Sequence, residues 1–588
     1  MELGRGLRKT EISPLFATAL LSTLLGFWMG IGEAGWQDAV ENAQTLAGIV
    51  RYPVLTPYVV SQWKAWSLQY QLLAIVLKVG VGEVDASILV CGVRGALHFL
   101  GGALFALAFT RHVTISVAVS LLNYSAITHD GIGAVYNFNE LGTANTCGNV
   151  GQSVALLIVA LFAHRRWGLA GFLLALAPAV HMGWGAYSWL LFLALWVTGR
   201  CQLPPPGWKG FAIGFVAGSV SFAAYTWQAA NAFVEMLPSE QVRVLVTNFI
   251  RAWDFHRQPV ALGRASLYFA IVGGIVGLVS IRWRSRRRAT SGGFFLARAL
   301  LLSGALSLVL AAATHLPLEW LPSSFLALMP GRFLNFTALM LTPVALGLLW
   351  RIRRRADILL IMLGYLFLVT LGATRPRVYP WGLGSLGLGV AAVFLPPAVY
   401  LLTRLRAWPA LRGPALVRSL RVLNGAALVF CVAFPMRYSY SWPVSRHTLR
   451  GRVDRPYLRR LRQGEGILLI LGDEINAPQL KMGRPVLLDL GAMDGIPYIP
   501  GAASAFLSPL KEVYGIDLLA DQGPHFPGRK VFSWTDRRLF FESRPEPEWA
   551  ALGRRFGFRE VLGPEDSRLK LPTLYRGDGY ALYGVPAL

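Results

Sequence analysis

A chain of 588 residues that is 54% hydrophobic and only 15% charged, with a mean hydropathy of +0.48, is too apolar for a soluble protein of its size. The net charge of +25 invites a nucleic-acid partner, but basic residues are concentrated in short loops between apolar runs, among them Arg5, Arg8 and Lys9, His164 to Arg166, Arg282 to Arg288, Arg351 to Arg355, and the stretch from Arg404 to Arg421. They are mainly an orientation signal under the positive-inside rule, and no nucleic-acid partner is expected.

Apolar windows long enough to cross a hydrocarbon core begin near Ile12, Ala86, Val113, Val150, Gly168, Tyr187, Gly210, Leu262, Phe294, Leu334, Ile358, Leu383 and Val422, so about thirteen transmembrane helices are expected. Ile12 to Ile31 follows a basic start but lacks a small-residue cleavage pattern, and it reads as an uncleaved first span. With the basic connectors in the cytoplasm, the N-terminus is inside. Outer loops then fall at 32–85, 128–149, 231–259 and 314–333, and the chain after Met436 is outside.

In the first outer loop, Trp36, Val40, Ala43, Ala47 and Val50 recur at helical spacing while Asp38, Glu41, Asn42 and Thr45 fall elsewhere on the wheel. This predicts an interfacial helix with carboxylates on its wet face. Gln62 to Val79 is expected to lie on or dip into the membrane. The second outer loop crowds Asn123, Tyr124, His129, Asp130, Asn137, Asn139, Glu140 and Asn145 among glycines, a density of hydrogen-bonding groups beyond what a plain tether needs. His181 follows Pro178 at the outward end of a span, and Arg332 stands in Pro330-Gly331-Arg332-Phe333 where an outer loop re-enters the membrane. Snorkelling to lipid headgroups is an equal reading of Arg332. Arg94, inside the second apolar window, must face the bundle, reach an interface or find a partner. The four cysteines, Cys91, Cys147, Cys201 and Cys431, show neither a disulfide framework nor zinc spacing.

After Met436 the composition becomes that of a soluble module. Strands are expected at Ile467–Leu471 and Val486–Leu490, helices at Ala502–Tyr514 and Pro547–Phe556, and a hairpin turn at Asp578-Gly579. The expected fold class is therefore a polytopic α-helical membrane protein with a C-terminal α/β extracytoplasmic domain, divided at 1–436 and 437–588.

A carboxylate just after the first span, an amphipathic helix in the first outer loop, acidic residues in the second, and an outer C-terminal domain together resemble the type-C integral membrane glycosyltransferases. The stretch Gly32-Glu33 through Gly48, with Tyr52-Pro53 and Pro57-Tyr58, is similar to the acidic loop of the mannosyl- and arabinosyltransferase branches, and the layout resembles oligosaccharyltransferase catalytic subunits. The paired Asp-Glu of many relatives is replaced by separated Glu33, Asp38 and Glu41, and the Trp-Trp-Asp signature of oligosaccharyltransferases is absent. The resemblance implies an inverting transfer of a sugar from a polyprenyl-phosphate donor to a lipid, glycan or protein acceptor at the bacterial inner membrane, with membrane lipids around it. It assigns the general base to Glu33, with Asp38 and Glu41 as alternatives. His129, Asp130, Glu140, His181 and Arg332 are the candidate substrate-binding residues. A divalent ion, Mg²⁺ or Mn²⁺, is left open, as no metal ligand set is fixed. The competing functions are a lipid-linked glycan flippase or transporter and an O-antigen polymerase or ligase.

Overall fold

The computed structural model describes residues 13–32, 34–64, 67–127, 147–198, 205–231, 237–252, 254, 257–284, 291–351, 359, 362–363, 414–436, 442–453, 455–472, 478–489, 493, 496–497, 502–520 and 534–586. In chain order its helices are α1 (Pro14–Gly32), α2 (Asp38–Ala47), α3 (Pro57–Lys64), α4 (Leu68–Lys78), α5 (Glu83–Thr110), α6 (Val113–Ile127), α7 (Cys147–Ala163), α8 (Trp167–Val180), α9 (Met182–Val197), α10 (Pro205–Asn231), α11 (Ser239–Ala252), α12 (Ala265–Arg284), α13 (Ser291–Ala313), α14 (Ser323–Ala327) and α15 (Leu334–Arg351). A further long helix, Pro414–Met436, precedes the C-terminal segment.

Among the described residues, four helical segments are long and apolar enough to cross a membrane: Pro14–Gly32, Glu83–Thr110, Ser291–Ala313 and Pro330–Arg351. Shorter apolar helices occupy the windows predicted near Val150, Gly168, Tyr187 and Leu262. Most of the windows predicted from Ile358 and Leu383 lie outside the described residues, so the expected thirteen spans exceed what the described helices provide.

Small residues let the bundle close. On α1, Gly26 and Gly30 form a Gly-x-x-x-Gly step against Gly95 and Cys91 of α5, where a Cβ added at Gly30 would stand 2.1 Å from the Cys91 carbonyl oxygen. α10 repeats the device with Gly210, Gly214 and Gly218 against α8, where a Cβ at Gly214 would meet the Gly168 carbonyl oxygen at 2.0 Å. In lipid these close backbone approaches supply the packing that hydrophobic burial supplies in water. The core of the bundle runs through Phe105, Leu156, Trp184, Phe333 and Phe336.

The C-terminal segment carries a four-stranded sheet in the order β1-β2-β4-β3, made of β1 (Ile467–Ile470), β2 (Phe558–Pro564), β3 (Thr573–Gly577) and β4 (Tyr580–Gly584). β1 pairs parallel with β2, and β4 joins β2 and β3 antiparallel. The β1–β2 crossover includes the helices Ala503–Glu512, Trp534–Ser543 and Glu546–Phe556, which close over β1, buried at every position. The expected hairpin is present, with Asp578 and Gly579 at φ +56° and +87°.

Across Gln62 to Val79, α3 ends at Lys64, and Ser67 caps the start of α4 by accepting the Gln69 N–H. Two expectations change. Of the strand expected at Val486–Leu490, the described residues show a single bridge between Val486 and Leu468. In the loop expected at 231–259, α11 forms, because Leu245, Val246, Phe249 and Ile250 line one side of it. Leu245 and Phe249 join the core of the C-terminal segment, and the Asn248 amide donates to the carbonyls of Leu518 and Ala520 at 2.9 and 3.0 Å.

Candidate functional site

The segment after α1 folds as α2 because its apolar residues fall on one stripe: Ala39, Val40 and Ala43 pack with Leu73, Ala74 and Leu77 of α4 and with Leu480. Gly48, at φ +76°, ends the helix by donating its N–H to the carbonyls of Gln44 and Thr45. Asp38 and Glu41 occupy the first turn, where the helix dipole favours negative charge.

Both carboxylates were expected on the wet face, but the C-terminal segment covers Glu41. That side chain is 2% exposed and accepts the Leu480 N–H at 3.2 Å. Next to it the buried Gln479 amide donates to the Glu41 carbonyl at 2.8 Å and to the Thr45 hydroxyl at 3.2 Å. The Tyr52 hydroxyl donates to Gln479 Oε1 at 2.6 Å and accepts the Val486 N–H at 3.2 Å. Burial, then the charges of Asp489 and Asp38, push the Glu41 carboxyl well above its ordinary range, while the Leu480 and Gln479 amides oppose the rise. Burial likewise raises the phenols of Tyr52 and Tyr58, with Glu41 and Asp489 adding to it.

Asp38 stays half-buried, and its charge reaches Tyr70 of α4 and the thiol of Cys147 at the start of α7, which share a side-chain hydrogen bond. Neither Cys147 nor Cys91 is in a disulfide, and the Cys91 sulfur accepts the Gln37 amide at 3.0 Å. From the same turn of α4, the Gln69 amide donates to the carbonyls of Cys147 and Val180, each at 3.1 Å, and the Ser67 hydroxyl donates to Val180 at 3.3 Å. α4 thus ties the acidic helix to the α8–α9 junction.

At that junction His181 is extended between the two helices, and its Nδ1 accepts the Trp184 N–H at 3.3 Å. Gly151 of α7 gives it room: a Cβ there would lie 2.6 Å from the histidine Cβ. Arg332, 7% exposed, lies in the tight turn Pro330–Phe333 and acts electrostatically on His181. The preceding loop is held by hydrogen bonds to its backbone carbonyls. Tyr187 donates to the Met329 carbonyl at 2.6 Å, and the buried Asp254–Arg257 pair places the Arg257 Nε 2.8 Å from the Leu326 carbonyl.

The structure therefore brings Asp38, His181 and Arg332 onto one connected rim and places Glu41 beside it, under the C-terminal segment. Glu33, His129, Asp130 and Glu140 lie outside the described residues. Among the described residues no group of three or more His, Cys, Asp or Glu side chains could hold a metal ion. Sequence reasoning missed Gln69, Gln479 and Asp489. Gln479 and Leu480 meet α2 from 434 to 439 positions away, beyond any local pattern. Tyr52 and Tyr58 carried a signal as part of the family-like stretch after Gly32.

The class these observations define is a multi-pass helical membrane protein with a small sheet-containing C-terminal unit docked on the segment between α1 and α5. No family model matches the chain, and no curated protein matches it. Among solved structures it is similar to ArnT from Cupriavidus metallidurans bound to undecaprenyl phosphate, over 97% of both chains, with 12% identity and a TM-score of 0.37. Likeness at that score assigns neither fold detail nor activity.

Proposed function

We propose that this chain is a membrane glycosyltransferase that moves a sugar from a polyprenyl-phosphate donor to a lipid, glycan or protein acceptor on the extracytoplasmic face of the bacterial inner membrane. What supports the reading is that the Gln69 amide bridges the carbonyls of Cys147 and Val180, so that Cys147, within electrostatic reach of the half-buried Asp38, and His181, within electrostatic reach of Arg332, lie at one end of the bundle. Transfer of this kind needs two groups at the same depth: a base for the acceptor hydroxyl and a cation for the departing phosphate.

In this mechanism the acceptor oxygen attacks the anomeric carbon and inverts it. The bond from that carbon to the phosphate oxygen breaks, its electron pair leaves with the polyprenyl phosphate, and the hydroxyl proton passes to Asp38. Arg332, a planar guanidinium with paired donors, suits a phosphate better than a lysine would. His181 lies within electrostatic reach of Arg332 and is the second candidate group for the phosphate. Glu41, engaged by Leu480, fixes the C-terminal segment over the site, and Glu33 is the alternative base. A divalent ion would draw on His129, Asp130 and Glu140, and no step here runs through it.

The test is release of polyprenyl phosphate from a panel of polyprenyl-phosphate sugars by purified protein, with Glu33→Gln, Asp38→Asn and Arg332→Gln beside wild type. The reading expects turnover with one donor, lost in Asp38→Asn. Turnover lost in Glu33→Gln and kept in Asp38→Asn would move the base to Glu33. No turnover with any donor and acceptor extract would turn the reading toward transport.

A further inference from the structure

Between positions 437 and 462 the sequence holds eight arginines and a histidine, against a single acidic residue, Asp454. This is the reverse of the charge expected on an outer face, and a partner of opposite charge accounts for it.

The structure fixes where the stretch lies. One side of the helix Trp442–Val453 is pinned across the ends of two spans. The Ser445 hydroxyl donates to the Ile31 carbonyl at the end of α1, 2.7 Å away. Leu449, fully buried, packs with Ile31 and Ile88, and Arg446 pairs at 2.9 Å with Asp85 in the first turn of α5. The helix is therefore held at the level where the bilayer's hydrocarbon gives way to headgroups. Its other side leaves His447 and Arg450 exposed, with Val444 44% exposed among them. Arg455 and Arg459, one helical turn apart, are exposed just beyond it, while Tyr457, Leu458 and Leu461 turn inward. An apolar residue among solvent-facing cations at membrane depth is the chemistry of an interfacial, anion-binding helix.

We propose that Arg450, Arg455 and Arg459 form a surface that binds the phosphate headgroups of anionic phospholipids, fastening the C-terminal segment to the membrane beside α1 and α5. The surface is independent of the transferase reading, because none of these residues belongs to the rim described above.

The test is binding of a short-chain phosphatidylglycerol to the purified full-length protein in neutral detergent, with the matching phosphatidylcholine and inorganic phosphate as comparison probes. Saturable phosphatidylglycerol binding that weakens with added salt is expected, with much weaker binding of the other two. At about fivefold per arginine, replacing all three with glutamine lowers the affinity by about a hundredfold. The corresponding lysine variant keeps most of the affinity, and equal elution and unfolding temperature show that both variants fold. Equal binding of phosphatidylcholine, inorganic phosphate binding as tightly as the lipid, or a glutamine variant that binds like wild type would overturn the proposal. The salt dependence of the wild type tests it without any variant.

Discussion

At the residue scale, burial separates two carboxylates that the sequence left equivalent. Asp38 and Glu41 sit in the same helical turn, but Glu41 is covered by Gln479 and Leu480 while Asp38 keeps access to solvent. Position along the helix gave no reason to prefer either, because the cover arrives from the far end of the chain. The folded Glu41 carboxyl titrates above the ordinary value of 4.5. The stability it contributes is therefore fully present below 4.5 and is lost as pH rises through the folded value. Glu41→Gln keeps an oxygen for the Leu480 N–H and removes the titration. Its unfolding midpoint should be flat across that window and above wild type at alkaline pH. Thermal unfolding at a series of pH values checks this, and a variant that tracks wild type would place the titration on another group. For Arg332→Gln the expected outcome is a higher KM for the donor as well as a lower kcat, read from initial rates, because the lost contact is to the phosphate. An unchanged KM would argue for a lipid-facing role.

At the element scale, hydropathy made most of the helices legible, since a span must be apolar along its length whatever it packs against. It could not mark the break between α3 and α4, which depends on Ser67 capping a new helix within an apolar stretch. Nor did it mark α11, an amphipathic helix whose apolar side is meant for the C-terminal segment. Val486 fell the other way: its local sequence suits a strand, but the backbone there pairs with β1 at one residue only. The glycine steps are a testable part of the packing. Gly30→Leu drives a side chain into the Cys91 carbonyl and should cost about 1–3 kcal/mol, the range for overpacking a close contact. Gly82→Leu, where a Cβ meets open space, should cost much less. Unfolding of both variants in the same detergent gives the comparison, and equal losses would contradict a close α1–α5 crossing. Gln69→Ala cuts the tie between Cys147 and Val180. It should lower turnover while leaving the unfolding temperature near wild type, checked by donor-release rates and melting curves on the same preparation.

At the scale of the whole molecule, the C-terminal segment works as a cap on the segment between α1 and α5. Glu41, Thr45 and Tyr52 hold it from below through Gln479, Leu480 and Val486, and α11 holds it from the side. Loop charge predicts that this cap lies outside the cell membrane, which protease treatment of spheroplasts checks. A cut confined to residues after Met436, with the spans protected, is expected. Protection of that segment until the cells are lysed would invert the topology. The central claim is that a carboxylate and an arginine on one rim transfer a sugar from a lipid phosphate. The most direct measurement is the rate of polyprenyl phosphate release by Asp38→Asn against wild type with the donor the wild type uses. A fall of about 10²–10⁴-fold, the range for a lost general base, in a variant that unfolds like wild type is the predicted result. Release at the wild-type rate would contradict it.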